Sequence, residues 1–388
     1  MIRSAQAVPG SLRVDEVNGV EVLESYRLLW NALLPQTRQA TFLQSLDWLV
    51  TYWRHHGRGQ RLRVLVVSAR GEPVGILPLA VRRKRTLLGI VRVLGYPLAE
   101  RDACYGPIGP NATATLLGGL RHIRNTRRDW DLLDLCGVDA DGCDHGRTPH
   151  AMRMAGLPAR KQLWNRTSRI QLDGTWEEYW ESRAKEWRDH VGNCECRLSR
   201  LGGLTHVRYR PDGAAAGDGD PRWELYDACG ELDARTSTGN GPARRDTVRA
   251  FGRDLHAAAT RCGCLDLNLL LLDGRPVAFL SGHHHDGRHH GLRIGSAAEL
   301  KPLGSECVLQ RMVLQDGYRR GDRTYDWGPG IGDGRHSWQT AFANSYRYVH
   351  YPLTAPRAQL LRMRNWLADR LAVTRRPADS ENPAPLAP

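Results

Sequence analysis

Leu62–Leu79 reads LRVLVVSARGEPVGILPL, and Leu265–Gly282 reads LDLNLLLLDGRPVAFLSG. Each is an apolar, partly β-branched run, a polar turn containing glycine, a Pro-Val pair and a second apolar run. That is the pattern of two strands joined by a tight hairpin. Gly71 and Gly274 can take the positive φ such turns require, and Pro73 and Pro276 stand where the returning strand begins, a place that tolerates a missing N–H. The cores GEPVGIL and GRPVAFL start 274 − 71 = 203 residues apart in a chain of 388. An interval of half the chain is what a duplicated domain produces, and it is far longer than a solenoid repeat.

The segments downstream of the two hairpins support duplication. After the first come a strand (Leu87 to Leu94), a loop with Tyr105-Gly106-Pro107, a helix (Ala112 to Arg127) and a short apolar strand, Leu132–Leu135. After the second come a strand (Arg288 to Ser296), a loop with Pro302-Leu303-Gly304, a helix (Ser305 to Arg319) and a short strand, Thr324–Trp327. The expected architecture is α/β: two similar domains, 1–170 and 171–360, each a mixed twisted sheet flanked by helices. A helical stretch from Thr175 to Leu201 connects them. Residues 1 to 15 read as a loose arm, and Val22–Trp30 and Ser45–His55 as amphipathic helices, with Ser45 as the N-cap of the second. Pro211–Pro221 and Thr236–Pro242 read as flexible loops, and the Pro- and Ala-rich tail at 376–388 as disordered.

Bulk properties set the class. Hydrophobic residues are 41% and charged residues 25% of the chain, so two ordinary cores can form. The longest apolar runs fall well short of a membrane span and Met1–Gly10 lacks a signal-peptide core, which leads to the expectation of a cytoplasmic protein without membrane insertion. The nine cysteines match neither a disulfide framework nor a paired zinc motif, so reduced thiols are expected. A formal charge of +13 favours an anionic partner, whether nucleic acid, coenzyme A or anionic lipid. The one dense basic cluster, Arg82–Arg85, reads equally as a solvated hairpin tip or a binding patch. The sequence carries no sign of the oligomeric state.

Several segments in order resemble the double-GNAT proteins, the group that comprises the Fem-type peptidyltransferases and the acetyltransferase-like proteins associated with cellulose or exopolysaccharide biosynthesis. They are FLQSLDWL (Phe42–Leu49), the two hairpins, the Trp-rich basic stretch Thr175–Gly203, LKPLGSECVLQRMV (Leu300–Val313), and RRGDRTYDWGPG followed by Trp338. The resemblance implies tandem GNAT-like domains with the active cleft in or beside the second. It also implies transfer of an acyl group, acetyl first, from coenzyme A to an amine or hydroxyl of a small-molecule or glycan-precursor acceptor. Aminoacyl-tRNA-dependent peptidyl transfer and a degenerate GNAT-fold binding protein are the alternatives. Two features depart from the pattern. Arg335-His336-Ser337 stands where a Tyr-Lys is usual before the last tryptophan, and the full Arg/Gln-x-x-Gly-x-Gly phosphate loop is missing.

The residues themselves nominate sites. Lys301, Leu303, Gly304 and Ser305 precede a helix whose free N–H groups and dipole suit a pyrophosphate, although Gly-Ser also serves as an ordinary cap. Asp326, before Gly328-Pro329-Gly330, is expected near the cleft mouth as a half-buried base, or else as the anchor of that turn. His336 is a second proton-transfer candidate. Tyr105 and Trp338 are expected substrate contacts. The histidines from His283 to His290 around Asp286-Gly287 are expected to form a solvated hairpin tip rather than a metal site, because strand alternation lets only His283 and His285 share a face. Trp176, Trp180 and Trp187 have helical core spacing.

Overall fold

The computed structural model describes residues 12–87, 89–97, 105–236, 242–329 and 337–374. Twelve strands form one mixed sheet: β1 (Leu12–Val17), β2 (Arg61–Ala69), β3 (Glu72–Thr86), β4 (Gly89–Gly95), β5 (Leu132–Asp139), β6 (Arg160–Gln171), β7 (Leu204–Tyr209), β8 (Leu265–Leu272), β9 (Arg275–His285), β10 (Arg288–Ser296), β11 (Thr324–Pro329) and β12 (Ala341–His350). Their spatial order is β1-β2-β3-β4-β5-β12-β6-β11-β10-β9-β8-β7.

From the two outer edges inward, the order repeats. β1-β2-β3-β4 and β7-β8-β9-β10 are antiparallel meanders, and β4–β5 and β10–β11 are parallel. The repeat extends to register. The ladder slips between Val67 and Ser68 in β2 and between Leu270 and Leu271 in β8, again 203 residues apart. Both hairpins turn through a pair of residues at positive φ, Arg70-Gly71 and Asp273-Gly274, the geometry that matches strand twist. The shared element order read from the two hairpins and the segments after them is therefore matched by the strand order, β2-β3-β4-β5 and β8-β9-β10-β11.

The middle of the sheet was not foreseen. β6 ends the first half in sequence yet pairs with β11, and β12 ends the second half yet pairs with β5, while β6 and β12 pair with each other. The last strands are exchanged, so a boundary after residue 170 does not separate the halves in space.

The helices are α1 (Arg27–Leu33), α2 (Leu46–His56), α3 (Ala112–Asn125), α4 (Arg147–Met154), α5 (Trp176–Glu181), α6 (Lys185–Ser199), α7 (Trp223–Thr236), α8 (Pro242–Arg261), α9 (Ser305–Arg320) and α10 (Pro356–Thr374). Ser45 caps α2 as expected, its Oγ accepting from the Trp48 N–H at 3.1 Å. Other expectations need correction. The loose arm becomes an edge strand from Leu12, zipped to β2 because a waiting ladder satisfies its backbone. The connecting helix breaks at Ser182–Ala184, where the Arg183 guanidinium is drawn to the Gln339 carbonyl at 2.7 Å and lies over the Tyr179 ring. The Pro211–Pro221 loop is pinned by paired bonds between Gly213 and Asp218. The 376–388 tail lies outside the described residues.

One apolar core runs through both halves, joining Trp30, Phe42 and Trp48 to Leu265, Leu267 and Phe279. A second lies on the α9 face, where Trp176, Trp180, Trp187 and Trp338 pack together, the core role expected of the first three.

Candidate active site

The parallel pairs β4–β5 and β10–β11 each hold for three residues and then part. In the first half the resulting fork is sealed. The Tyr105 N–H bonds the Gly137 carbonyl on β5 at 2.7 Å, and Ile108 pairs with Ile76 on β3 through two 2.8 Å bonds. In the second half β10 runs on from Gly291 to Ser296, with Leu292 and Arg293 exposed and a bulge against β9, while β11 stays with β6. At the apex Gly328 takes φ +75°, and a Cβ there would lie 2.7 Å from the Gly291 carbonyl oxygen, so only glycine fits. Among the described residues, the second fork is the open one.

Beside it stands the N-terminus of α9. The amides of Ser305, Glu306 and Cys307 have no helical acceptor, and the buried Ser305 Oγ has no hydrogen-bond partner. Leu303 packs on the second core, and Lys301 is exposed with its Nζ 3.7 Å from Glu306. Gly304 is not the open face expected of a phosphate cradle. It has φ +83°, and a Cβ would collide with Cys194 Sγ and come within 2.9 Å of Cys194 Cβ on α6. Gly304 is glycine because α6 crosses it. The same helix supplies cations: Arg197 Nη2 is 3.3 Å from the Cys194 sulfur, and His190, Asn193, Arg197 and Arg200 line a shallow groove.

The other face of the sheet, turned toward the first half, carries polar groups. Asp326 is 2% exposed rather than at the cleft mouth. Its Oδ1 accepts from the Gly328 N–H at 2.9 Å, and its Oδ2 accepts from Thr167 Oγ1 at 2.9 Å with Arg169 Nη2 at 3.6 Å. The turn-anchoring alternative describes its bonding, because the exchanged strand β6 covers it. Arg169 also lies 3.7 Å from Asp139 at the end of β5, joining carboxylates from both halves. Opposite Asp326 on β10 is His290, whose two ring nitrogens are buried without hydrogen-bond partners. Burial lowers its pKa below the ordinary histidine value, Arg169 and Arg288 reinforce this, and Asp326 opposes it. His283, against the Phe42 ring at 4.4 Å, is pushed down to about 3 by burial.

The solvated histidine tip is therefore overturned, because β9 and β10 lie inside the sheet and the first half covers one face. On the α9 face, His289 sits in a buried ionic network. Arg208 donates to Asp266 at 2.6 Å and to Asp316 at 2.9 Å, and Arg210 donates to Asp322 at 2.8 and 2.9 Å. Burial alone would raise the Asp266 and Asp322 carboxyls, but the facing cations and hydrogen bonds hold both well below the usual range. His284, His289 and Asp322 converge closely enough to invite a metal ion. However, His289 Nε2 faces Arg208 at 2.9 Å and also Arg210, while Nδ1 points at Asp266. Two guanidinium groups already hold the place a cation would take.

Trp338 is wholly buried, with its indole N–H on Gln310 and its carbonyl accepting from Tyr179, so it is a core residue and not a substrate contact. Tyr105 is also buried; its hydroxyl has no partner, and it lines a cavity of about 80 Å³ with Gln44, Cys143 and Asp144. His336 lies outside the described residues. Residues 185–340 match a protein-family model described as an acetyltransferase (GNAT) domain. That stretch of the chain is GNAT-like in sequence. The matched span contains the open fork, α6 and α9, while the first half repeats the fold with its fork closed. FemX is similar over 86% of this chain and 98% of its own at TM-score 0.59 and 14% identity. The C-terminal domain (DUF2156) of an Agrobacterium fabrum protein described as a putative lysylphosphatidylglycerol synthetase is similar over 89% of this chain and 97% of its own, at TM-score 0.52 and 10% identity. A tandem GNAT protein from the clavulanic acid biosynthesis pathway is similar at TM-score 0.47, with 13% identity, over 87% of this chain and 98% of its own. No curated protein matches the sequence. The fold is similar to that of FemX, and no helix among the described residues is long and apolar enough to cross a membrane.

His290, Arg169, Asp139 and Arg197 were not singled out from sequence as site residues. The paired histidines after an Asp-Gly turn were the visible signal for His290; nothing local marks Arg169.

Proposed function

We propose that the second half transfers an acyl group, acetyl first, from coenzyme A to an amine or hydroxyl on an envelope or polysaccharide precursor. The carrying observation is the β10–β11 fork, open among the described residues, flanked on one face by the α9 N-terminus and on the other by His290, whose ring nitrogens are buried and unpartnered. The residues fit the donor: free amides at 305–307, the orphaned Ser305 Oγ, and Arg197, with Lys301 nearby, for a pyrophosphate. Bound acyl-CoA would supply an activated thioester carbonyl.

The chain's own residues do the rest. His290, neutral near pH 7, accepts the proton of the acceptor amine or hydroxyl. Asp326 does not take that proton, because both its oxygens are engaged; it holds the Gly328 turn and sets the field at His290. Main-chain N–H groups on the open edge of β10 beyond Gly291 are the donors available to a carbonyl oxygen gaining charge. His336 remains a proposed second proton-transfer group.

A thermal-shift and calorimetric panel of acetyl-CoA, longer acyl-CoAs and charged tRNA tests this, since a native-state ligand raises apparent stability by mass action. Acetyl-CoA should raise the Tm and release free thiol in the presence of an acceptor amine. A shift with charged tRNA alone, falling steeply with salt, would favour Fem-type peptidyl transfer. No shift with any of them would leave the binding-protein reading.

A further inference from the structure

α10 is held to the sheet along one side only. Ala355, Ala358 and Leu361 pack on Val91, Val93, Leu132 and Val349. Leu360, Met363, Trp366 and Leu367, at helical spacing, stay exposed along the helix, with Leu353 exposed just ahead of it. Arginines flank this stripe. The helix carries Arg357, Arg362, Arg364 and Arg370 against one aspartate, and the Arg370 guanidinium lies 4.2 Å over the Trp366 ring. Arg362 and Arg160 border a groove that Leu353, Met363 and Trp366 also line.

A second protrusion adjoins the first. The β3–β4 hairpin ends in exposed Arg83, Lys84 and Arg85, followed by Leu87, which is 91% exposed, and Ile90 is about half exposed. The Ile90 carbonyl accepts from Arg357 Nη1 at 3.1 Å, so hairpin and helix form one continuous surface. A merely solvated charge run has no need of leucine at its tip, nor of a helix face carrying leucine, methionine and tryptophan between arginines. Apolar side chains interleaved with arginines are what an anionic membrane surface accepts. The apolar groups enter the headgroup–acyl boundary and the long basic side chains reach the phosphates. The formal charge of +13 adds long-range attraction of the same sign.

We propose that α10 and the β3–β4 hairpin tip dock this protein on an anionic membrane surface. Cosedimentation of the full chain with phosphatidylcholine vesicles, with and without phosphatidylglycerol, tests it. Binding is expected to the anionic vesicles only, to fall with added salt, and to weaken about tenfold or more in Arg83→Glu/Lys84→Glu/Arg85→Glu and in Met363→Ala/Trp366→Ala. All these side chains are exposed, so both variants should keep the wild-type Tm, measured alongside. Equal binding to neutral vesicles, or none to anionic ones, overturns the proposal. So does a dimer that Met363→Ala/Trp366→Ala converts to monomer without changing vesicle binding, which would make a second copy the occupant. Vesicle binding that arises only after residues 375–388 are removed overturns it in favour of the chain's own tail.

Discussion

Gly304→Ala separates what the loop before α9 does for the fold from what it does for a ligand. The substitution puts a non-glycine residue at φ +83°, a left-handed conformation that costs about 1–2 kcal/mol. It also drives a methyl group into Cys194, an overpacking cost of about 1–3 kcal/mol. The expected loss is thus about 2–5 kcal/mol, and a valine there would lose more, so neither is a clean probe of donor binding. Cys194→Ala removes the sulfur that the new methyl meets but keeps the Cβ, so it should restore only part of the packing term. Urea denaturation of wild type, both single variants and the double variant gives a cycle with an expected coupling of about 1–2 kcal/mol. The double variant should also bind acetyl-CoA nearly as wild type does, because the Gly304 Cα faces α6 and not the ligand, whereas Arg197→Ala should weaken binding without lowering stability. A coupling within about 0.5 kcal/mol of zero would refute the packing argument. Weak acetyl-CoA binding by a well-folded double variant would refute the assignment of Gly304 to α6.

His290→Ala should lower kcat by roughly 10²–10⁴ with donor affinity retained, and the wild-type rate should already be on its plateau at neutral pH because burial lowers this histidine's pKa; an unchanged kcat would remove His290 from the reaction. Folded-state pKa values of about 3 for His283 and about 4 for His289, against about 6.5 unfolded, mean that unfolding takes up protons, so stability is full above about pH 6.5 and falls through the window down to about pH 3. Urea midpoints at pH 7, 6 and 5 should decline, and His283→Gln should flatten the decline; a pH-independent midpoint would contradict this. Arg208→Met should cost about 3–5 kcal/mol in the same assay by leaving Asp266 short of a cation; a loss under about 1 kcal/mol would show that Arg210 and His289 suffice.

The duplicated meander was legible because its signals are local: turn residues, a proline and strand length all lie within one hairpin. Where a side chain's role depends on a distant partner, the sequence was silent. Thr167, which bonds Asp326, is 159 residues away, and only the exchanged strand brings it there. The alternation of His283, His289 and His290 could be read from sequence. Their burial could not, since it follows from the interior position of β9 and β10 and from Phe42 of the first half. Trp338 follows a Gly-rich stretch and resembles an exposed loop residue, yet the tryptophans of α5 and α6 enclose it.

Strand exchange also explains why the chain keeps both halves. A cut after residue 170 or 171 would leave β11 without its β6 neighbour and β5 without β12, exposing two sheet edges that are paired in the intact chain. The exchange is locked by equivalent contacts. Asp134 on β5 is bound by Arg347 of β12, as Asp326 on β11 is bound by Thr167 of β6, and the register makes these pairs counterparts. Arg169 then ties Asp326 to Asp139 across the seam. The first half, its own fork sealed by the segment from Tyr105 to Ile108, supplies Thr167 and Arg169 to the carboxylate that holds the Gly328 turn and sets Phe42 against His283, the strand partner of His290. The catalytic face proposed for the second half is therefore a property of the pair.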